Sequence, residues 1–118
     1  MKNEIILYQA DELLERIEVR LDEETVWLNR QQISLLFGRD IKTIGKHINN
    51  VFSEGELRKE VVVANFATTT QHGAIKGKTQ TKSVEHYNLD VIISVGYRVN
   101  SKQGTQFRIW ATNVLRDY

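Results

Sequence analysis

Apolar residues recur at helical spacing in two short runs between residues 30 and 52, one on each side of a glycine. The first run places Ile33, Leu36 and Phe37 at i, i+3 and i+4. The second run places five apolar residues on one face: Ile41, Ile44, Ile48, Val51 and Phe52. Gly38 lies between the runs, and glycine adopts a positive φ without steric cost. This spacing predicts two amphipathic helices joined by a sharp turn, a helix-turn-helix.

Polar side chains mark the start of both predicted helices. Asn29 and Asp40 each have a side-chain oxygen that can accept hydrogen bonds from the free N–H groups of a first helical turn. Ser34, four residues before Gly38, is small enough for two helices to approach closely. Arg39 occupies a position where such turns often carry an apolar residue, so the turn is expected to run one residue long.

The outer face of the second predicted helix carries side chains that suit a nucleic acid. These residues are Lys42, Thr43, Gly45, Lys46, His47, Asn49 and Asn50. A DNA major groove presents phosphate oxygens together with hydrogen-bond donors and acceptors on base edges, and cationic and amide side chains are suitable partners for both. The alternative is that these residues form a solvated surface with no ligand.

Short extended segments precede the helix pair. Residues 5–8 are apolar, residues 17–22 alternate between apolar and charged, and residues 25–28 follow a tight acidic turn. This pattern predicts a β-hairpin with an additional strand. Residues 10–15 fit either a loop or a single helical turn.

A long hairpin is predicted after a polar connector at residues 53–58. Residues 61–67 are rich in β-branched side chains, residues 82–87 alternate, and the tract between them contains Gly73 and Gly77. Its tip carries Gln71, His72, Lys76 and Lys78. A hairpin after two helices resembles the wing of a winged helix, and its lysines can lie along a phosphate backbone. A solubilising loop is the alternative.

Two further helices are expected at the C-terminal end. Asn88 can cap the first, whose predicted buried face is Leu89, Ile92, Ile93, Gly96 and Tyr97; a strand is the alternative because the segment is β-branched. Ser101 begins the second, which carries an uninterrupted apolar stripe: Phe107, Trp110, Ala111, Val114, Leu115 and Tyr118. The stripe predicts core packing, with Trp110 buried and its indole N–H bonded.

Composition narrows the class of protein. A length of 118 residues fits one domain, and the absence of cysteine excludes disulfides and zinc-thiolate sites. No apolar run is long enough to cross a membrane, so a soluble, cytoplasmic protein is expected. Because the apolar stripe is still running at Tyr118, residues 1–118 are interpreted as the N-terminal part of a longer protein.

Charge is distributed unevenly along the chain although the net charge is only +1. Residues 1–28 hold eight acids and three bases, a net charge of −5, and residues 29–118 hold seven acids and thirteen bases, a net charge of +6. The second part can present a basic face to phosphate. Mutual neutralisation of the two parts across the fold is the alternative.

No pattern indicates catalysis. His47, His72 and His86 fall in different predicted elements, and none has a partner at the spacing of a metal site or catalytic triad. Adjacent acids Glu54 and Glu56 lie in a polar connector and are expected to be solvated. The sequence therefore predicts a protein that is not an enzyme and that has no cofactor and no metal.

Several stretches resemble the N-terminal region of the RhuM family, bacterial proteins named for a virulence-island member. They read EVRLDEETVWLNRQQISLLFG, HINNVFSEGEL and HYNLDVIISVGYRVNSKQGTQFRIWATNVL. More distantly, Gln106, Phe107, Arg108 and Trp110 are similar to a stretch in the Bro-N and KilA-N domains of phage antirepressors. The resemblance implies a DNA-binding or regulatory module, and it supplies no site residues.

The sequence thus predicts a single α+β, winged-helix-like domain with a small antiparallel sheet, a helix-turn-helix, a long hairpin and two C-terminal helices. The predicted function is binding of double-stranded DNA. The predicted contacts to the groove are Lys42, Thr43, Lys46 and Asn49, and those to phosphate are Arg30, Arg39, Lys76 and Lys78. The alternative is a protein-interaction or homodimerisation domain that regulates a downstream domain, docking through residues 11–24 or the last helix.

Overall fold

A five-stranded antiparallel sheet and five helices make up the structure, a computed structural model that describes residues 4–13, 15–22, 24–71 and 79–117. The elements in chain order are β1 Glu4–Tyr8, β2 Ile17–Leu21, β3 Val26–Asn29, α1 Arg30–Phe37, α2 Ile41–Ser53, α3 Lys59–Val62, β4 Val63–Gln71, β5 Thr79–Asn88, α4 Leu89–Arg98 and α5 Gln103–Asp117. The predicted α+β class is confirmed, with the helix pair, the long hairpin and the two C-terminal helices in the predicted order.

The hairpin belongs to the same sheet as the N-terminal strands. The strand order is β1-β2-β3-β5-β4, so β5 lies between β3 and its hairpin partner β4. In the registers, Leu28 faces Tyr87, and His86 has Asn29 on one side and Ala64 on the other. This pairing fixes the base of the hairpin directly beside the start of α1.

The main core lies between the helices and one face of the sheet. Ile17, Val19 and Leu21 point into it from β2, while the intervening Glu18 is exposed. The helices contribute buried Ile33, Leu36, Ile44, Ile48, Ile92 and Phe107. Alternate residues of a strand are buried, and residues three or four apart on a helix are buried, when one face of a sheet packs against helices.

A smaller cluster covers part of the other face of the sheet. The Phe66 ring lies 5.7 Å from the Trp27 ring and 5.0 Å from the His86 ring, both edge-on. The Arg20 guanidinium lies 4.6 Å from the centre of Phe66, a cation–π arrangement. The Trp27 indole N–H donates to Asp22 Oδ2 at 2.8 Å. Strand β3 is therefore buried on both faces.

Several predicted boundaries and faces were wrong. Residues 61 and 62 end the short helix α3 rather than starting the strand, and both hairpin strands are longer than predicted. Residues 89–98 form a helix rather than a strand, but its buried residues are Val91, Ile92, Val95 and Gly96, and Tyr97 is 81% exposed. Ile41, at the start of α2, is 42% exposed.

The apolar stripe of α5 is only partly core. Phe107 and Ala111 are buried, whereas Trp110, Val114 and Leu115 are half-buried, and Tyr118 lies outside the described residues. Trp110 packs against Tyr8, with ring centres 4.9 Å apart. Its predicted full burial was wrong. The deeply buried and hydrogen-bonded indole is that of Trp27.

Residues 10–13, after β1, form a turn in which the Leu13 N–H donates to the Ala10 carbonyl at 3.0 Å. Among the helices that the structure describes, none combines the length and apolar character needed to span a bilayer.

Candidate nucleic-acid interface

The first helix of the pair begins at a capping box. Asn29 Oδ1 accepts from the Gln32 N–H at 2.9 Å, and Gln32 Oε1 accepts from the Asn29 N–H at 2.8 Å. Two donors at the helix start are satisfied reciprocally. Because Asn29 is also the last residue of β3, this cap fixes how α1 leaves the sheet.

The turn between the helices is built on Gly38 and Arg39. Gly38 has φ of +62°, and its N–H donates to the Ser34 carbonyl, as does that of Arg39 at 3.2 Å. Ser34 Oγ donates back to the Arg39 carbonyl. The predicted left-handed glycine is confirmed, and Ser34 closes the turn by hydrogen bonding as well as by its small size.

Arg39 anchors this turn to the C-terminal half of the chain. Its guanidinium donates to the Phe37 carbonyl at 3.1 Å and to the Val99 carbonyl, just after α4, at 2.9 Å. The position where an apolar side chain often pins the turn is thus held by hydrogen bonds. Two of the guanidinium's donors are engaged within the protein, although the sequence assigned Arg39 to phosphate.

Helix α2 has a buried face and a basic face. Asp40 caps it by accepting from the Lys42 N–H at 3.0 Å, and Ile44, Ile48 and Val51 are buried. The exposed face carries Lys42, Lys46 and Asn49. No residue of this helix is acidic. Thr43 is half-buried and lies about a third of a turn around the helix from Asn49, on the far side of Lys42 and Lys46, so it flanks this face.

Arg30 is brought against α2 at Gly45. A Cβ on Gly45 would lie 3.1 Å from Arg30 Nη1 and 3.3 Å from Cζ, so the guanidinium rests on bare helix backbone. Gly45 and Asn49 are one helical turn apart, which places this cation beside the exposed polar face. The prediction that Gly45 points freely outward was wrong, because the Arg30 side chain covers it.

Two residues of β5 complete the environment of Arg30. The Tyr87 hydroxyl donates to Glu85 Oε1 at 2.9 Å, and the Arg30 guanidinium is close enough to Tyr87 to act on its pKa. Burial raises the pKa of Tyr87, the bond to Glu85 raises it further, and Arg30 opposes both. Glu85 also lies 3.8 Å from Lys59 Nζ. The base of the hairpin therefore holds the arginine that lies on α2.

The acids that follow α2 are paired. Arg98 Nη2 lies 2.8 Å from both Glu54 Oε1 and Glu56 Oε1, and Ser94 Oγ donates to the other oxygen of Glu56. The bond from Ser94, followed by that from Arg98, lowers the pKa of Glu56. One arginine thus offsets part of the negative charge that these acids would otherwise place at the end of the basic helix.

The predicted site residues are not all brought together. Lys42, Lys46, Asn49 and the Arg30 guanidinium share one region, Thr43 flanks it, and Arg39 lies at the turn, bonded to Val99. Lys76 and Lys78 lie outside the described residues. Tyr87 and Glu85 were not predicted from the sequence, because no local pattern shows which strand will pair beside α1. Within the described ranges, no group of three or more metal-ligating side chains occurs.

Part of the chain matches a known protein family. Residues 61–118 match the family model described as virulence protein RhuM family. The matched segment contains both strands of the hairpin together with α4 and α5, whereas α1 and α2 lie before it. Comparison with curated proteins and with solved structures found no match to this chain.

Proposed function

Because residues 61–118 match the model of the virulence protein RhuM family, we propose that this chain is a regulatory module of that family and that it binds double-stranded DNA through α2. The observation that carries the proposal is the exposed face of α2, which presents Lys42, Lys46 and Asn49 and has no acidic residue on its helix. A helix of this kind fits the width of a major groove.

The side chains divide into two chemical roles. Lys42 and Lys46, one turn apart, neutralise phosphates, and Arg30 adds a third cation from the hairpin side. Asn49 can pair with the N6 and N7 atoms of adenine through both its amide nitrogen and its oxygen. The lysines therefore supply affinity for any duplex, and Asn49 supplies discrimination between sequences.

The remaining predicted contacts have secondary roles in the proposal. Lys76 and Lys78 would extend the basic surface from the hairpin to adjacent phosphates. Thr43 would contact the groove from the flank. Arg39 contributes by holding the turn through Val99, and the donors it does not use there remain able to reach phosphate. No catalytic step is part of the proposal.

Fluorescence anisotropy with a labelled random duplex, measured over a range of salt concentrations, tests the proposal. About five phosphate contacts correspond to a slope of log K against log salt of roughly −4 to −5. Replacing both Lys42 and Lys46 by alanine should make the slope shallower by about 2 and weaken all sequences alike. Asn49→Ala should leave the slope nearly unchanged while costing about 1 to 3 kcal/mol of discrimination among sites.

Arg116→Ala is the matched control, because Arg116 is an exposed cation on α5 and is remote in sequence from the helix pair. It should change the slope much less than the lysine variants do. Equal effects of the control and the α2 variants would mean that only net charge matters. Unaltered binding by correctly folded α2 variants would exclude α2 as the DNA-contacting helix.

Protein interaction is the second candidate function, and one observation favours it. Strand β1 is an edge of the sheet, and its Ile5 and Leu7 are 55% and 50% exposed. An edge strand with apolar side chains can accept a further strand from another chain. Self-association that is insensitive to DNA, detected by sedimentation, would support this function over the first.

A further inference from the structure

A cleft of about 310 Å³ lies between α4 and α5. This volume is at the lower end of the range of small-molecule sites, about 300–1,000 Å³. All of its lining residues fall within the segment that matches the family model: Ile93, Gly96, Tyr97, Asn100, Ser101, Lys102, Gly104, Thr105 and Arg108. None of these residues belongs to α2, so the cleft is separate from the exposed face of that helix.

Two glycines form the floor of the cleft. A Cβ on Gly96 would lie 3.6 Å from the Gly104 Cα, and a Cβ on Gly104 would lie 3.7 Å from the Gly96 Cα. The two helix backbones therefore approach closely, and the Phe37 ring occupies the space next to both glycines where a side chain would lie. The floor is apolar and small, and the neighbouring Ile93 extends it.

The walls combine an aromatic ring with two cations. Tyr97 is 81% exposed at the mouth of the cleft, although it stands on a helix whose other face is core. Lys102 and Arg108 form no ion pair within the described part of the chain. No lining residue is acidic, and Ser101, Thr105 and Asn100 add hydroxyl and amide groups.

We propose that this cleft binds a nucleoside monophosphate or a ligand of the same chemistry, a planar ring that carries a phosphate. Arg108 and Lys102 bind the phosphate, since guanidinium and ammonium groups are its usual protein partners. Tyr97 stacks on the ring. A purely inorganic anion would leave the exposed tyrosine unused, and an apolar ligand would leave the two cations unused.

The cleft is joined to the helix-turn-helix by two contacts. The Phe37 ring, from the end of α1, lies beneath the floor, where a Cβ on Gly96 would come within 3.1 Å of its Cζ. The connection between α4 and α5 is held to the turn by the bond from Arg39 to the Val99 carbonyl. A bound nucleotide therefore lies against residues that position α2, and in the proposed function it is placed to act as an effector.

Calorimetric titration of residues 1–118 with adenosine 5′-monophosphate, adenosine and inorganic phosphate tests the site. The monophosphate is expected to bind at least roughly 10-fold more tightly than either of the other two probes. Tyr97→Ala should weaken the monophosphate roughly 5-fold or more while leaving phosphate unchanged. Arg108→Gln should weaken both the monophosphate and phosphate. Because Tyr97 and Arg108 are exposed, both variants are expected to fold.

Arg116→Gln on the same helix is the control and should change none of the three affinities. Amide chemical shifts induced by the monophosphate should map to residues 93–108. The proposal is overturned if the monophosphate does not bind at millimolar concentration, if it binds no better than phosphate, or if the shifts map to α2 and not to residues 93–108. Since no DNA is present, these outcomes do not depend on whether the chain binds a duplex.

Discussion

At the scale of single residues, two isoleucines on α2 have the same side chain but differ in burial. Ile44 is fully buried where α2 packs on the core, whereas Ile41, less than one turn away on the same helix, is 42% exposed. Ile44→Ala should lower the free energy of unfolding by about 2 to 4 kcal/mol, because the change removes buried apolar surface and leaves a cavity. Chemical denaturation followed by circular dichroism measures the difference.

Ile41→Ala removes the same atoms from the same helix and provides the matched control. Because Ile41 already contacts solvent, the expected loss is below about 1 kcal/mol. Similar losses for the two variants would show that the helix has a different rotation about its axis. The exposed lysines of α2 would then be misplaced as well.

His86 is a residue whose burial makes stability depend on pH. Burial lowers its pKa, the Val84 carbonyl opposes this by bonding Nδ1 at 2.9 Å, and the positive charge of Arg20 lowers the pKa further. The unfolded chain, with a histidine pKa of about 6.5, therefore takes up a proton at a higher pH than the folded protein does. The contribution of neutral His86 to the free energy of unfolding is therefore complete above the pKa of the unfolded chain and is lost as the pH falls below it.

The free energy of unfolding should accordingly decrease between about pH 7 and pH 5, before most carboxylates titrate. His86→Gln should flatten this dependence even if it lowers stability at every pH, so the slope is the quantity to compare. His47→Gln on α2 is the matched control, and a slope that flattened equally in both variants would show that the effect is not specific to His86. A slope that persists in the His86 variant would assign the titration to another group.

At the scale of elements, two positions in the helix pair are occupied by glycine for different structural reasons. Gly38 has φ of +62° and open space where a Cβ would lie, so alanine there meets only backbone strain, worth about 1 to 2 kcal/mol. Gly45 has helical backbone, and alanine there meets the flexible end of Arg30. Gly45→Ala should leave stability unchanged or raise it by up to about 1 kcal/mol, because alanine favours the helix.

The same Gly45→Ala change should weaken DNA binding, since the added methyl group displaces the Arg30 guanidinium from α2. The salt slope should become shallower by about 1, the value for one lost phosphate contact. Gly38→Ala should instead lower stability, while the folded fraction should bind DNA with the same salt slope as the wild type. If Gly45→Ala left the slope of the wild type, Arg30 would have no part in the interface.

Elements could be predicted from the sequence where side chains interact with backbone groups close to them in the chain. Asn29, Gly38, Asp40 and Asn88 act on backbone groups within a few residues, and all four have the predicted roles in the structure. The buried face of α4 was not predictable, because nearly every position from 91 to 99 is apolar or small. Tertiary contacts with α2, α5 and the sheet select the face, and they leave Tyr97 outside.

At the scale of the whole molecule, the sheet joins the family-matched segment to the residues that precede it. β5 pairs with β3, α4 packs on α2, and the Arg39 side chain bonds Val99. The sequence showed the strands but not this pairing, since strands far apart in the chain carry no local signal of which edges will meet. The candidate site depends on it, because Tyr87 reaches Arg30 only from β5.

Residues 61–118 alone are therefore expected not to fold. The isolated segment would lack β3 beside β5 and would expose Val91, Ile92 and Val95, which are fully buried in the whole chain. Its proton–nitrogen correlation spectrum should be poorly dispersed, and its thermal unfolding should show no cooperative transition. Residues 1–118 under the same conditions provide the reference. A well-dispersed spectrum of the fragment would show that the family segment is an autonomous domain.

The strand order also determines when each strand can find its partner during translation. β5 is translated last of the five strands, yet it occupies the place next to β3, so a nascent chain carries an open β3 edge until residue 88 has left the ribosome. An open edge is a template for pairing with a neighbouring chain. Helix α1 is completed immediately after β3 and packs on both β2 and β3, so one face of these strands is already covered before β5 pairs with the open edge.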